Sequence, residues 1–325
     1  MIKSVIIILA GTAFCTCANA AHVIVAGPGE FAFDYKISGQ NKKMPVYYFA
    51  PKSLTQLSRI VFVLHGDSRS GKLYRDEWQS YANQYKFLVL CPEFSDSDFG
   101  GWWKYNYGNM YDPDKHQNIP RQDWAFNIIE ELFDFVRSDR EMKAQAYCIY
   151  GHSAGAQFVH RMVLAMPQAR FSLAIANGAG NYTDPTFDKN FPNGLGHSDI
   201  ANDSLAKSFS KNMIILMGER DLVSKTMPQT ESSFDKYDRV WKAKRFFSIA
   251  KDQAQKLQVN LNWRFVFVPN ADHINPAHAQ YGSRLAANSR IFLTKPADIA
   301  TEPNETVPPG GTEEISDHNE PLASK

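Results

Sequence analysis

Residues 146 to 167 read AYCIYGHSAGAQFVHRMVLAMP, and three local signals follow one another in this segment. It opens with an apolar run of the kind found in buried strands. The pattern Gly-x-Ser-x-Gly comes next, and Phe158, Met162 and Ala165 then recur at helical spacing. A buried strand, a tight glycine-flanked turn and a helix in direct succession are typical of parallel α/β sheets. The segment therefore predicts a strand-turn-helix unit with Ser153 at the turn.

The rest of the chain continues this alternation of short apolar runs and longer amphipathic segments. Eight runs are predicted to be strands, namely Phe31 to Ile37, Val46 to Ala50, Arg59 to Leu64, Phe87 to Cys91, Ala146 to Tyr150, Ser172 to Asn177, Met213 to Met217 and Trp263 to Val268. Apolar residues at helical spacing occur between several of them, for example from Tyr74 to Tyr85 and from Trp124 to Phe135. The sequence therefore predicts an α/β fold, with a mostly parallel eight-stranded sheet and helices on both faces.

Two inserts interrupt this rhythm, Asp96 to Pro120 and Gly178 to Lys211, and both follow predicted strand ends. Ligands of open α/β sheets bind beyond the carboxyl ends of the strands, so these inserts are predicted to form lid-like loops over a site. The first insert carries Trp102 and Trp103. Because apolar clusters in loops often mark binding surfaces, we expect at least one of them to bind substrate. The alternative is that both pack beneath the loop.

The two ends of the chain differ in composition from its centre. Residues 1 to 20 hold one lysine, an apolar run and a final Ala-Asn-Ala, which predicts a signal peptide cleaved before Ala21 and export to the periplasm or medium. A membrane anchor would need about 18 or more apolar residues. Residues 297 to 325 hold seven acidic residues against one lysine, which predicts a disordered acidic, proline-rich tail. Residues 21 to 296 are then the catalytic domain.

Overall composition and motif content exclude several classes of function. Of the 325 residues 44% are hydrophobic, and the formal net charge is +1, so nothing indicates a nucleic-acid partner. Cys91 and Cys148 lie in apolar runs and are predicted to be buried thiols, with a single disulfide as the alternative. The predicted mature chain lacks a Cys-x-x-Cys pair, a P-loop and a G-x-G-x-x-G segment. We therefore expect neither a metal nor a cofactor.

The chemistry of the Gly-x-Ser-x-Gly turn requires a serine nucleophile and a base. Side chains at the two glycine positions would collide with the neighbouring strand and helix, so the turn exposes the Oγ of Ser153. Among the nine histidines, His273 directly follows the last predicted strand, as expected where the chain order is serine, acid, histidine. His278, at the start of the next helix, is the alternative base and is otherwise expected to be a surface residue. The sequence thus predicts Ser153 as nucleophile and His273 as base.

The remaining catalytic groups are predicted from strand ends. Asp221 follows the seventh predicted strand and is the expected acid, with Glu219 as its rival. The main-chain N–H groups of Asp67 and Ala154 are predicted to form the oxyanion hole, since Asp67 ends the strand beside that of the nucleophile. His65 is expected to support the loop that contains Asp67.

Four motifs add a resemblance to a known family. They are GHSAGAQFVH at 151 to 160, PEFS at 92 to 95, FPNGLG at 191 to 196 and GERD at 218 to 221. Over residues 31 to 295 the chain resembles bacterial α/β-hydrolases related to poly(3-hydroxybutyrate) depolymerases and feruloyl esterases. This resemblance implies the α/β-hydrolase fold and a secreted carboxylic ester hydrolase with the triad Ser153, Asp221 and His273. Because no polymer-binding module is recognised in the sequence, we expect a small or oligomeric ester at least as much as a solid polyester. A serine peptidase of the same fold and a catalytically silent binding protein are the alternatives.

Overall fold

A single eight-stranded sheet organises the chain in the computed structural model, which describes residues 22 to 221 and 239 to 288. Its strands, with two short strands between them, are β1 (Gly27–Ile37), β2 (Gln40–Ala50), β3 (Ile60–Leu64), β4 (Leu88–Pro92), β5 (Tyr111–Asp112), β6 (Gln117–Asn118), β7 (Tyr147–His152), β8 (Phe171–Asn177), β9 (Met213–Gly218) and β10 (Trp263–Val268). The order is β1-β2-β4-β3-β7-β8-β9-β10, and β5 and β6 pair with each other in a separate two-stranded sheet. β2 is antiparallel to both neighbours, and the pairs from β4 to β10 are parallel. The predicted mostly parallel sheet is confirmed.

Helices connect these strands. They are α1 (Gly71–Tyr85), α2 (Trp102–Asn106), α3 (Phe126–Asp139), α4 (Ala154–Ala165), α5 (Asn202–Phe209), α6 (Arg239–Lys256) and α7 (Asn275–Ala287). α1 packs against α7, whereas α4 packs against α2 and α5. The inserts are less irregular than expected, because α2, β5 and β6 lie in the first and α5 lies in the second.

Helix α1 carries three side chains to the site described below, and its sequence explains where it begins and which face it buries. The Oγ of Ser70 accepts a hydrogen bond from the Leu73 N–H at 3.3 Å, which caps the first turn. Tyr74, Trp78 and Ala82 follow at helical spacing and are all buried. This burial fixes the rotation of α1 against the sheet.

An aromatic cluster anchors the first insert to helix α4. The ring of Phe94 lies 5.0 Å from that of Tyr105 and 5.2 Å from that of Phe158, and Phe126 contacts Phe158 edge-to-face at 4.7 Å. All four rings are fully buried. Because such rings bury large apolar areas, the cluster ties the insert to α4 through Tyr105.

Several sequence predictions concern parts of the chain outside the described ranges. The predicted signal peptide, residues 1 to 20, and the predicted tail, residues 297 to 325, both lie there. Among the described residues, Cys91 and Cys148 are buried thiols that are not bonded to each other. No helix within 22 to 221 or 239 to 288 is long and apolar enough to cross a membrane.

Candidate active site

Ser153 occupies a strained turn between β7 and α4. Its φ of 54° and ψ of −108° are uncommon for a residue with a side chain, and its N–H donates to the Asn177 carbonyl at 2.9 Å. A Cβ on Gly151 would lie 2.2 Å from the Gly155 carbonyl oxygen, and a Cβ on Gly155 would lie 2.6 Å from the Leu64 carbonyl oxygen. Both positions therefore require glycine, because the strand and helix pass too close for any side chain.

The structure brings the three predicted catalytic side chains into one chain of hydrogen bonds. Ser153 Oγ lies 3.1 Å from His273 Nε2, and His273 Nδ1 lies 2.8 Å from Asp221 Oδ2. A carboxylate can only accept, so Nδ1 carries the proton and the Nε2 lone pair faces the serine hydroxyl. The Asp221 side chain is fully buried, whereas that of His273 is 30% exposed. In this arrangement His273 Nε2 can take the proton of the Ser153 hydroxyl at a position that solvent reaches.

A residue that the sequence did not point to completes the environment of the acid. Arg239, the first residue of α6, places Nη1 3.1 Å from Asp221 Oδ1. Both oxygens of the buried carboxylate are therefore partnered, one by an imidazole and one by a guanidinium. No motif marks Arg239, since helix packing alone brings it to the end of β9.

Gly178, directly after β8, leaves space for the side chains of Asp221 and His273. Its φ is +61°, and a Cβ there would lie 3.1 Å from Asp221 Oδ2 and 3.3 Å from His273 Nδ1. Glycine is therefore favoured both by the backbone conformation and by the close approach of the two side chains.

The rival carboxylate and the rival base have other partners. Glu219 Oε2 accepts from the Asn270 N–H at 2.8 Å, which braces the loop before His273. His278 places Nε2 2.7 Å from the Asp272 carbonyl oxygen and is fully buried. The expectation that His278 is a surface residue is wrong, because α7 packs against α1 and covers this first turn.

The loop after β3 passes beside the nucleophile. A Cβ on Gly66 would lie 3.6 Å from the Ser153 Cβ, and Asp67 follows Gly66 directly. Ala154 is the first residue of α4, and the first N–H groups of a helix have no acceptor within it. Of the two residues predicted for the oxyanion hole, Asp67 thus lines the same cleft as Ser153, and Ala154 directly follows Ser153.

His65 holds this loop through hydrogen bonds. Its Nδ1 lies 2.8 Å from the Gly66 carbonyl oxygen, so it donates there, and its Nε2 accepts from the Phe94 N–H at 3.0 Å. Tyr105 donates its hydroxyl to the His65 carbonyl at 2.8 Å. Burial lowers the pKa of His65 to about 4, so the ring is neutral at neutral pH.

A cleft of about 250 Å³ opens in front of Ser153. Its lining residues are Gly66, Asp67, Ser68, Leu73, Tyr74, Glu77, His152, Ser153, His273, Ile274, Asn275 and Pro276. This lining carries two carboxyl groups and neither lysine nor arginine. Within residues 22 to 221 and 239 to 288, no group of histidine, cysteine and acidic side chains could hold a metal ion.

The structure does not place either predicted substrate-binding tryptophan in the wall of this cleft. Trp103 is only 9% exposed and packs in the hydrophobic core. Trp102 is 54% exposed and contacts Tyr107 edge-to-face at 4.7 Å. A role for them in substrate binding stays a prediction, and Trp103 has a packing role that accounts for its burial.

Four buried histidines make the stability of the fold sensitive to acid. Burial lowers the pKa values of His65, His152, His160 and His278, so protons bind more readily to the unfolded chain. The unfolded state therefore gains protons first as pH falls below about 6.5, and the free energy of unfolding decreases. We expect the free energy of unfolding to fall with a continuous slope below about pH 6.5, with His65 alone accounting for ~3 kcal/mol by pH 4.

Urea denaturation from pH 7.5 to 5 measures this slope. Replacing the buried His160 by glutamine should flatten the pH dependence, and the same change at the exposed His116 is the matched control that should not. A free energy of unfolding that stays constant across this range would contradict the prediction.

Comparison with known proteins identifies the family. Models of known protein families and curated protein sequences gave no match. Among solved structures, the chain is similar to poly(aspartic acid) hydrolase-1 from Sphingomonas sp. KT-1, with 34% identity, a TM-score of 0.76 and coverage of 81% of this chain and 99% of that one. It is also similar to LpqC, a poly(3-hydroxybutyrate) depolymerase from Bordetella parapertussis, with 27% identity, a TM-score of 0.73 and coverage of 81% and 94%.

A more distant structure shares the fold. The fluorophosphonate-binding serine hydrolase FphF from Staphylococcus aureus has 15% identity and a TM-score of 0.53, with coverage of 83% of this chain and 100% of that one. The first two structures confirm the resemblance to depolymerase-related hydrolases that the sequence motifs indicated. At 34% identity over nearly the whole of a related structure, the chain belongs to the α/β-hydrolase family that contains poly(aspartic acid) hydrolase-1 and is related to the depolymerases.

Proposed function

We propose that this chain is an exported serine hydrolase that cleaves carboxylic ester bonds through an acyl-enzyme. The observation that carries the proposal is the hydrogen bond of 3.1 Å from Ser153 Oγ to an imidazole whose other nitrogen is held by a buried carboxylate. The family contains hydrolases, and this arrangement supports nucleophilic catalysis by serine.

In the first half of the reaction, Ser153 Oγ attacks the ester carbonyl carbon while His273 Nε2 takes the hydroxyl proton. The carbonyl oxygen becomes an oxyanion, for which the N–H groups of Asp67 and Ala154 are the proposed donors. The resulting imidazolium then gives its proton to the departing alcohol, and the acyl group stays on Ser153. Asp221 holds Nδ1–H throughout and stabilises the positive charge.

In the second half, water replaces the alcohol. His273 takes a proton from the water as its oxygen attacks the acyl carbon, and the same proton returns to Ser153 Oγ when the acid leaves. The net reaction consumes one water and yields an acid and an alcohol. His273 is exposed enough for water to reach it, since 30% of its side chain is accessible.

The charge of the cleft favours esters without a negative charge near the scissile bond. Asp67 is exposed there, Glu77 is half-buried, and no cation lines this part of the described structure. A carboxylate on the substrate would meet like charge at this position. Neutral hydroxyalkanoate esters and aromatic, feruloyl-type esters fit this condition, and the related LpqC is named as a poly(3-hydroxybutyrate) depolymerase.

Amide hydrolysis is the second candidate function. A structure with 34% identity is named as a poly(aspartic acid) hydrolase, and such a polymer is linked by amide bonds. A serine, histidine and aspartate arrangement serves both bond types, so the geometry alone favours neither. The acidic lining of the cleft is the observation that favours esters over an aspartate polymer.

A matched substrate panel tests this choice. Hydrolysis of p-nitrophenyl butyrate should exceed that of butyryl p-nitroanilide by ~100-fold or more in kcat/KM, because the amine must be protonated to depart. Oligomers of 3-hydroxybutyrate and of aspartate provide the same comparison for chains. The Ser153→Ala protein gives the background rate for each substrate. Cleavage of aspartate oligomers with hydroxybutyrate oligomers left intact would replace the ester proposal by the amide one.

Export is supported by residues 1 to 20 alone. Expression of the full chain in a bacterial host should yield protein outside the cytoplasm that begins at Ala21 by N-terminal sequencing. Recovery of protein that begins at Met1 from the cytoplasm would contradict export.

A further inference from the structure

The residue before the nucleophile contacts the main chain of the base. His152 ends β7 and is buried, with 6% of its surface exposed. Its Nε2 lies 2.9 Å from the His273 carbonyl oxygen, and its Nδ1 lies 2.7 Å from the Tyr74 hydroxyl. The rings of His152 and His273 are 4.8 Å apart. One side chain therefore links α1, the nucleophile turn and the loop that carries the base.

Hydrogen-bond chemistry fixes the direction of this link. A carbonyl oxygen can only accept, so His152 Nε2 carries the proton and donates it to the His273 carbonyl. Nδ1 then offers a lone pair, to which Tyr74 donates its hydroxyl proton. Burial lowers the pKa of His152 well below its usual value and raises that of Tyr74, which keeps the imidazole neutral and the phenol protonated.

The loop that carries His273 needs such anchors, because it lies between the end of β10 at Val268 and the start of α7 at Asn275 without regular structure. Two consecutive carbonyl groups in it accept from buried imidazoles. The Asp272 carbonyl accepts from His278 Nε2 at 2.7 Å, and the His273 carbonyl accepts from His152. The backbone on both sides of the base is thus held by rings that the core orients.

The same tyrosine also contacts the loop proposed for the oxyanion hole. A Cβ on Gly66 would lie 3.1 Å from the Tyr74 hydroxyl and 3.7 Å from His152 Nδ1. Tyr74 is buried and fixed by the packing of α1, so its hydroxyl holds the His152 ring in one orientation. Nucleophile, base and oxyanion loop are then aligned through one pair of side chains.

We propose that His152, oriented by Tyr74, is a positioning residue that ties the main chain of His273 to the nucleophile turn and so maintains the distance between Nε2 and Ser153 Oγ. This inference rests on the proposed function, in which Ser153 and His273 are nucleophile and base. Proton transfer between them depends steeply on geometry, since a misplacement of about 1 Å can lower a rate ~100-fold.

Four variants separate positioning from simple support of the fold. His152→Phe keeps a planar ring but removes the donor, and His152→Gln keeps an N–H that reaches the same position. Tyr74→Phe removes only the hydroxyl that fixes the tautomer. His160→Gln is the matched control, because His160 is also a buried imidazole with two main-chain partners, the Ala156 carbonyl at 2.9 Å and the Thr183 N–H at 3.1 Å.

Steady-state kinetics with p-nitrophenyl butyrate, with urea denaturation of each variant, provide the readouts. We expect His152→Phe to lower kcat by about 10- to 100-fold with KM nearly unchanged, and Tyr74→Phe to lower kcat by roughly 3- to 10-fold. His152→Gln should recover most of the loss. His160→Gln should lower stability but leave kcat within about twofold. If His152 had only a structural role, substitutions at His152 and at His160 would both lower stability and leave kcat nearly unchanged.

The outcomes separate this inference from the proposed function. If Ser153→Ala abolishes hydrolysis but folded His152→Phe and Tyr74→Phe keep the wild-type kcat, positioning by His152 is refuted and the serine mechanism stands. If His152→Phe does not fold, Tyr74→Phe decides, because a folded Tyr74→Phe protein with the wild-type kcat refutes positioning and one with a lowered kcat and unchanged KM supports it. If Ser153→Ala keeps full activity, both proposals are wrong.

Discussion

Replacing Ser153 by alanine is expected to lower kcat by about 10⁴ to 10⁶, the loss typical of removing one member of a cooperating triad. The substitution removes only Oγ, so His273 would have no hydroxyl to deprotonate. Alanine has the same backbone restrictions as serine, and the turn stays held by the Ser153 N–H bond to Asn177, which any residue but proline can make. Turnover of a butyrate ester, with circular dichroism as the check on folding, measures the effect. A folded variant with nearly wild-type turnover would refute Ser153 as the nucleophile.

Replacing Asp221 by asparagine is expected to lower kcat by about 10⁴, because the amide can donate to Nδ1 and so stabilises the wrong imidazole tautomer. The Nε2 of His273 would then carry a proton and could not accept one from Ser153. Arg239 would also face a neutral amide in a buried site, so some stability should be lost as well.

Glu219→Gln is the matched control for this substitution. Its carboxylate bonds to the Asn270 N–H, and an amide oxygen can accept that bond equally well. We expect kcat within a few-fold of wild type. A greater loss with Glu219→Gln than with Asp221→Asn would exchange the roles of the two residues.

The central strands of the sheet could be predicted closely from the sequence because they are buried on both faces. Strands β3, β4 and β9 are continuous apolar runs in which every residue is buried, and such runs stand out against amphipathic neighbours. The predicted boundaries of Trp263 to Val268 match β10. β1 begins earlier than predicted, at Gly27, because the outer end of this edge strand alternates between exposed and half-buried residues.

The three side chains of the hydrogen-bonded chain could be found because strand order brings their loops together. Ser153, Asp221 and His273 follow β7, β9 and β10, whose carboxyl ends share one edge of the parallel sheet. No pattern in the sequence indicated which residues contact these three side chains. Arg239 approaches Asp221 only through the packing of α6, and periodicity marked Tyr74 as a core residue without showing where its hydroxyl points.

The burial of His278 also could not be predicted from the local sequence. Its position at a helix start predicted exposure, yet the pairing of α7 with α1 covers it. Trp102 and Trp103 were adjacent in sequence and alike in type, and the structure separates them, with Trp103 in the core and Trp102 in solvent. Tertiary packing, rather than local pattern, decides such cases.

Labelling with a fluorophosphonate tests most directly whether Ser153 is an activated nucleophile. The reagent transfers its phosphonyl group to a serine oxygen with loss of fluoride, and peptide mass spectrometry identifies the modified residue. We predict one adduct, on Ser153, that forms in step with the loss of ester hydrolysis and is absent from the Ser153→Ala protein. Ester hydrolysis that continues unchanged in the fully labelled protein, or an inactivating adduct on another residue, would contradict the proposed mechanism.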